Sequence, residues 1–189
     1  MTELEIFATI SNRQVKALMF HHEMADYFDF LSLRGFKRMH EYQYLKESVE
    51  MRGLHRYVIN HVNRLIPEDK IASFNEIPSS WYNYTRKDVD ASTKKSAVKD
   101  ALQKYYDWEA ETLALYEKAY SNMLELGKVA HLDKINCLIC DVNKELKKAC
   151  RLMLKYKAVD YDMICLVQDQ DELHEKYKEK TKKLGVDIT

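Results

Sequence analysis

The sequence predicts an all-α fold: a four-helix bundle with one long crossover and an additional C-terminal helix. Three observations predict it. Only 4 glycines and 2 prolines occur in 189 residues, too few for the turns that a sheet-rich chain needs. Charged residues make up 32% beside 46% hydrophobic ones, the mixture that amphipathic helices carry. Apolar residues recur in steps of three and four over long stretches, which places them on one helical face. The length suits one domain with a real core, so residues 1–189 are expected to form a single bundle.

The first helix is expected over 3–34, with Ala17, Phe20, Met24, Phe28 and Leu31 on one face. Ser11 or Asn12 is a candidate cap for a start there, and an earlier start is equally compatible with the pattern. Gly35 marks a break or a tight link. The second helix is expected from about Phe36 to Leu65, where Pro67 stops it. Its stripe is Phe36, His40, Tyr44, Glu47, Met51, Leu54, Val58, Val62 and Leu65. Residues 66–91 hold both prolines and the Trp81-Tyr82-Asn83-Tyr84 cluster without clear periodicity. They are read as a crossover strapped to the bundle by its aromatics, with a functional loop as the alternative.

Asp90 or Ser92 caps the third helix, whose seam runs Val98, Ala101, Tyr105, Trp108, Thr112, Leu115, Ala119, Met123, Leu126 and Ala130. A turn is expected at 131–133. The fourth helix follows with Ile135, Leu138, Val142, Leu146, Ala149, Met153 and Tyr156. The pattern pauses at Val159-Asp160-Tyr161, and a fifth helix is expected over 163–184, ending at Gly185. Two helical hairpins joined by one long connection give the one-crossover bundle topology.

Several function classes are disfavoured. The formal net charge is zero, so no global field draws nucleic acid or anionic membrane. No stretch approaches the roughly 20 apolar residues of a membrane span. The N-terminus lacks the basic start and apolar run of a signal peptide, and a cytoplasmic location with reduced thiols is expected for the four cysteines. There is no Gly-rich phosphate loop and no nucleophile–base spacing. Cys137-Leu138-Ile139-Cys140 is a CxxC inside a predicted helix, where half a zinc site, a redox pair and core-filling thiols are the competing readings, the last being preferred. The lysine-rich run 174–183 is interrupted by Glu175 and Glu179, which favours a solvated helical face over a DNA-binding tail.

Two residues do not belong on the greasy stripe of the second helix: His40 and Glu47. Either they bind metal or they are buried and paired to protein groups. The segment Gly35-Phe36-Lys37-Arg38-Met39-His40-Glu41 resembles the G…F..LHE motif that opens the second helix of the Dps branch (miniferritins) of the ferritin-like superfamily. Residues 113–154 are similar to the same family's third-to-fourth helix passage, with Asp133 in the turn. The likeness covers about residues 10–65 and 110–158.

The resemblance implies a ferritin-like bundle, homo-oligomeric assembly and iron chemistry. It also implies a degenerate metal site. His40 matches a family iron ligand, but Phe28 stands where another histidine is expected and Tyr44 where an acid is expected. The family's carboxylate pair falls near His55 and Ile59. The Glu-x-x-His of true ferritins has its nearest counterpart in Glu50-Met51-Arg52-Gly53. His21, His22 and Glu23 on the first helix, Glu50 on the second, Glu109 or Glu117 on the third, and Asp141 and Glu145 on the fourth are further raw material. The candidate metal ligands are His40, Glu47 and His55, and iron is the metal implied. Two functions are carried forward: a non-catalytic oligomeric structural or interaction module, which is preferred, and an iron-binding or ferroxidase-type protein with a rebuilt site.

Overall fold

The computed structural model describes residues 1–66 and 89–185. Five helices account for nearly all of them: α1 (Glu3–Phe30), α2 (Arg34–Val62), α3 (Ala91–Glu125), α4 (Leu132–Ala158) and α5 (Met163–Lys183). A short 3-10 turn, Val129–His131, leads into α4. No strand occurs among the described residues. The crossover expected over 66–91 falls almost wholly outside them.

The helix ends follow local chemistry. Thr2, rather than Ser11 or Asn12, starts α1 through a capping box: its hydroxyl accepts from the Glu5 amide at 3.3 Å, and the Glu5 carboxylate accepts from the Thr2 amide at 2.6 Å. The α1–α2 break lies at Leu31–Leu33, with Ser32 in the left-handed region at φ 58°. Gly35 is therefore not the break; it sits in the first turn of α2. Its role is close approach, because a Cβ there would lie 2.5 Å from the Gln170 carbonyl and 2.8 Å from the Leu173 Cβ.

α5 also caps α2. Leu33 cannot accept a hydrogen bond with its side chain, and Gln170 Oε1 instead accepts from the Gly35 and Phe36 amides at 2.9 and 3.1 Å. Gly35→Ala should push α5 off this contact and cost about 2 kcal/mol by overpacking. A urea titration should show the loss.

Asp90 caps α3, accepting from the Thr93 amide at 2.7 Å. α3 stops at Glu125, short of the Ala130 end of the predicted seam, because Gly127 turns the chain at φ 68°. Asp162 caps α5 after a turn in which Asp160 and Tyr161 both have positive φ.

Cross-helix contacts give the directions. Arg13 meets Trp108 and Thr112 while Met1 meets Asn122, so α1 and α3 are antiparallel. Ser11 pairs with His55 and His21 with His40, so α1 and α2 are antiparallel too. Hence α2 and α3 run the same way, and the chain between them joins opposite ends of the bundle. That is the one-crossover topology. α5 runs parallel to α2, with Arg34 on Asp171 and Tyr42 on Tyr177.

The core is in two parts. One apolar cluster gathers Phe20, Met24, Phe28, Phe36, Val98, Trp108, Tyr156 and Leu166. The other gathers Ile6, Phe7, Leu54, Val58, Met123 and Ile135. Between them, all four bundle helices contribute polar side chains.

Candidate functional site

The polar layer arises where each helical stripe is interrupted. On α1 it holds Arg13 and Gln14, with His21 further along. On α2 it holds His40, Gln43, Lys46, Glu47 and Glu50; on α3, Tyr105, Glu109 and Thr112; on α4, Glu145 and Lys148. Helical spacing puts Tyr105, Glu109, Thr112 and Tyr116 on one face of α3, and Val142, Glu145 and Ala149 on one face of α4.

Glu145 is the hub. Its carboxylate accepts from Lys148 Nζ at 2.7 Å, Gln43 Nε2 at 2.7 Å, Tyr105 Oη at 3.3 Å and Lys46 Nζ at 3.4 Å. Burial alone would raise its pKa, but Lys148 and Lys46 outweigh burial and hold it at about 2. Lys46 also reaches Glu50 at 3.3 Å, and both lysines are held in the charged form despite burial. The Lys148 ammonium lies over the Tyr177 ring at 5.1 Å, which adds a cation–π contact from α5.

The other carboxylates behave in the opposite way. Burial, reinforced by Glu145, pushes Glu109 up to about 8. Burial, then Glu50 and Glu109, pushes Glu47 well above the carboxylate range. Burial raises Glu50 as well, against the pull of Lys46. At neutral pH the layer therefore holds one firmly ionised carboxylate between two ammonium groups, beside Glu109 and Glu47, whose carboxyls are raised towards the protonated form, while Glu50 is paired to Lys46.

Above it lies a histidine pair. His21 Nδ1 and His40 Nδ1 are 2.9 Å apart, so one donates to the other, and His21 Nε2 is 4.0 Å from Glu109. His40 stacks on Phe28 and meets Tyr105 edge-on. Burial, then the nearby lysines or the partner histidine, depresses both rings well below 6.5, so both are neutral. Some buried atoms of the layer have no protein partner: both amide atoms of Gln14, Gln43 Oε1 and His40 Nε2.

The three residues singled out in sequence are not gathered on one ion. His40 pairs with His21, Glu47 faces Glu50 and Glu109, and His55 Nε2 bonds Ser11 Oγ at 2.7 Å. Seven and eight residues separate them along α2, about 10–12 Å of rise each, far beyond a shared coordination sphere. Glu50, Glu109 and Glu145 do join the layer. Lys46 and Lys148, which no sequence argument above singled out, dominate it. The signal available was their position: Lys46 adjoins the stripe residue Glu47, and Lys148 lies one turn from Glu145.

Ferritin-like iron chemistry would require carboxylates and imidazole converging on open coordination positions. The carboxylate content fits in kind. The arrangement does not, because Glu145 already binds two ammonium groups and two further donors. Among the described residues, no group of three or more His, Cys, Asp or Glu side chains is placed to hold a metal ion.

One other expectation changes. Cys137 and Cys140 are both exposed on α4 and do not fill the core. The lysine-rich helix α5 is anchored through Leu166, Gln170, Tyr177 and Thr181, and Lys180 lies over the Tyr42 and Tyr177 rings at 5.5 and 5.0 Å. No helix among the described residues is long and apolar enough to cross a membrane.

Neither a family model nor a curated protein matches the sequence. Solved structures do match the fold. A closed form of the Archaeoglobus fulgidus ferritin, made by site-directed mutagenesis, superposes with a TM-score of 0.74 at 17% identity, covering 92% of this chain and 96% of that one. An open pore ferritin from the same hyperthermophilic archaeon gives 0.74 at 17% identity over 91% and 95%. A humanized archaeal ferritin gives 0.73 at 15% identity over 92% and 97%. The helix order, the parallel α2 and α3, and these superpositions together give this chain the ferritin-like all-α fold.

Proposed function

We propose that this protein is a ferritin-fold module that assembles with copies of itself and serves a structural or interaction role, without efficient iron oxidation. The observation that carries this reading is the Lys46–Glu145–Lys148 bridge in the polar layer. Two fixed ammonium groups supply the positive charge that a buried carboxylate cluster requires, so the layer is neutralised by protein alone. A divalent cation entering there would face both lysines and would have to ionise Glu109 and Glu47. A cytoplasmic protein that binds neither membrane nor nucleic acid is part of the same proposal, as are the single-domain organisation and the assignment to the Dps branch with a degenerate site.

The second reading is an iron-binding or ferroxidase-type protein with a rebuilt site. It is favoured by Glu47, Glu50, Glu109 and Glu145 facing one layer from three helices, and by the ferritin identity of the similar structures. His40 or His21 would then supply imidazole at the edge of the layer, with His55 outside it.

One experiment separates the two. Fe(II) is added anaerobically to the purified full chain, oxygen is admitted, and its consumption is followed while light scattering reports the oligomer. The expected result is an oligomer of the 22.4 kDa chain with no oxygen uptake above the buffer rate. Rapid stoichiometric uptake, abolished by Glu109→Gln, would establish the second reading.

A further inference from the structure

The CxxC on α4 plays no part in the polar layer, and its exposure removes the packing role. Cys137 and Cys140 are exposed, free thiols three residues apart, well inside the helix Leu132–Ala158. Leu138, between them, is buried in the second apolar cluster. The two thiols therefore flank a seated residue and share the outward face of a helix that packing holds in place.

The geometry discriminates between the uses of such a pair. On an α-helix, side chains at i and i+3 have Cβ atoms about 5–6 Å apart. A disulfide needs Cβ atoms about 3.5–4.5 Å apart, so oxidation would have to distort α4 locally. A cation bridging two sulfurs at about 2.3 Å each accepts a wider span and needs no backbone movement. Ligand number discriminates between cations. Among the described residues no third His, Cys, Asp or Glu completes a group around the pair. Zinc takes four ligands in a structural site, whereas a soft monovalent d10 cation is content with two thiolates.

We propose that Cys137 and Cys140 form a surface site for Cu(I) or an equally thiophilic two-coordinate cation. The ion replaces the two thiol protons and joins the sulfurs across one helical turn. The site is independent of the buried layer, so it stands whichever reading of that layer holds.

The test is an anaerobic titration of the full, reduced protein with Cu(I) against a competing chromogenic Cu(I) chelator. The expected result is one equivalent retained per chain at chelator concentrations that strip glutathione. Cys137→Ser and Cys140→Ser should each weaken retention by at least 100-fold, while Cys150→Ser and Cys165→Ser leave it unchanged. Because both thiols are exposed, thermal melts of the two serine variants should match the parent. Retention that survives the Cys137→Ser/Cys140→Ser double variant would overturn the proposal. So would half an equivalent of zinc bound with doubling of the particle mass, which would make the pair half of a four-thiolate site between two copies.

Discussion

Lys148→Ala should lower the stability of the fold by about 2–3 kcal/mol, or roughly 5–10 °C in Tm for a chain of this size. The cause is not the loss of a surface ion pair. Lys148 is 20% exposed and Glu145 15%, and the variant leaves that carboxylate with Lys46 as its ammonium partner, at the longer distance of 3.4 Å, beside the neutral donors Gln43 and Tyr105. Breaking a buried pair from one side strands a charge, and the partial exposure of both groups trims the usual penalty of about 3–5 kcal/mol.

The double variant Lys148→Met/Glu145→Leu removes both charges and fills the space with apolar atoms. It should recover most of the lost stability, because Lys46 retains Glu50 at 3.3 Å. The cycle closed by the single variants Lys148→Met and Glu145→Leu, read by urea denaturation, measures the coupling. Additive losses would show that Glu145 is not held by Lys148 and would remove the main support for a protein-neutralised layer.

Glu109→Gln should stabilise the protein at alkaline pH and do little at pH 4. Burial and then Glu145 raise the Glu109 carboxyl from 4.5 to about 8, so the folded chain keeps a proton that the unfolded chain loses. The stability linked to this group is complete below pH 4.5 and is lost progressively as pH rises to about 8. At 1.36 kcal/mol per unit the loss is on the order of 5 kcal/mol. Glutamine mimics the neutral acid and cannot ionise. The stability profile of the variant should be flatter over that window, though not flat, since Glu47 and Glu50 are raised as well. Denaturant midpoints at pH 5 and pH 8.5 check this. A variant that is equally destabilised at both would mean that Glu109 is ionised and paired at neutral pH.

The histidine pair sets the acid side of the profile. Both rings are held neutral, so stability that depends on them is present above the ordinary imidazole value and falls as pH drops below about 6.5. Glu145 acts lower still. Its stabilisation is present above the unfolded carboxylate value and is lost as pH falls towards about 2. The layer thus narrows the pH range of maximal stability from both sides.

Much of this molecule was legible in its residues. The five helices, the Asp90 cap, the pause at Val159–Tyr161 and the end at Gly185 follow from local chemistry, because each depends only on neighbours within a turn or two. The one-crossover topology follows from hairpin pairing once the long non-periodic stretch is recognised. The α3 seam holds at Val98, Ala101, Tyr105, Trp108, Thr112, Ala119 and Met123 and slips elsewhere, since a 3.5-residue repeat drifts on a 3.6-residue helix: Tyr116, rather than Leu115, is buried, and Leu126 is exposed.

What the tertiary structure alone decided is which polar residues share the interior. Helical spacing shows that Glu47 faces inward, but not that Lys46 beside it bends to Glu145 a hundred residues away, or that Lys148 neutralises the same carboxylate. A long lysine stem lets a residue at the edge of a stripe deliver its charge to the core. Periodicity reads where a Cβ points, not where a flexible ammonium ends. The same holds for Gly35, whose meaning depends on the approach of α5, and for the CxxC, whose place on the outer face of α4 depends on which side of that helix the bundle takes.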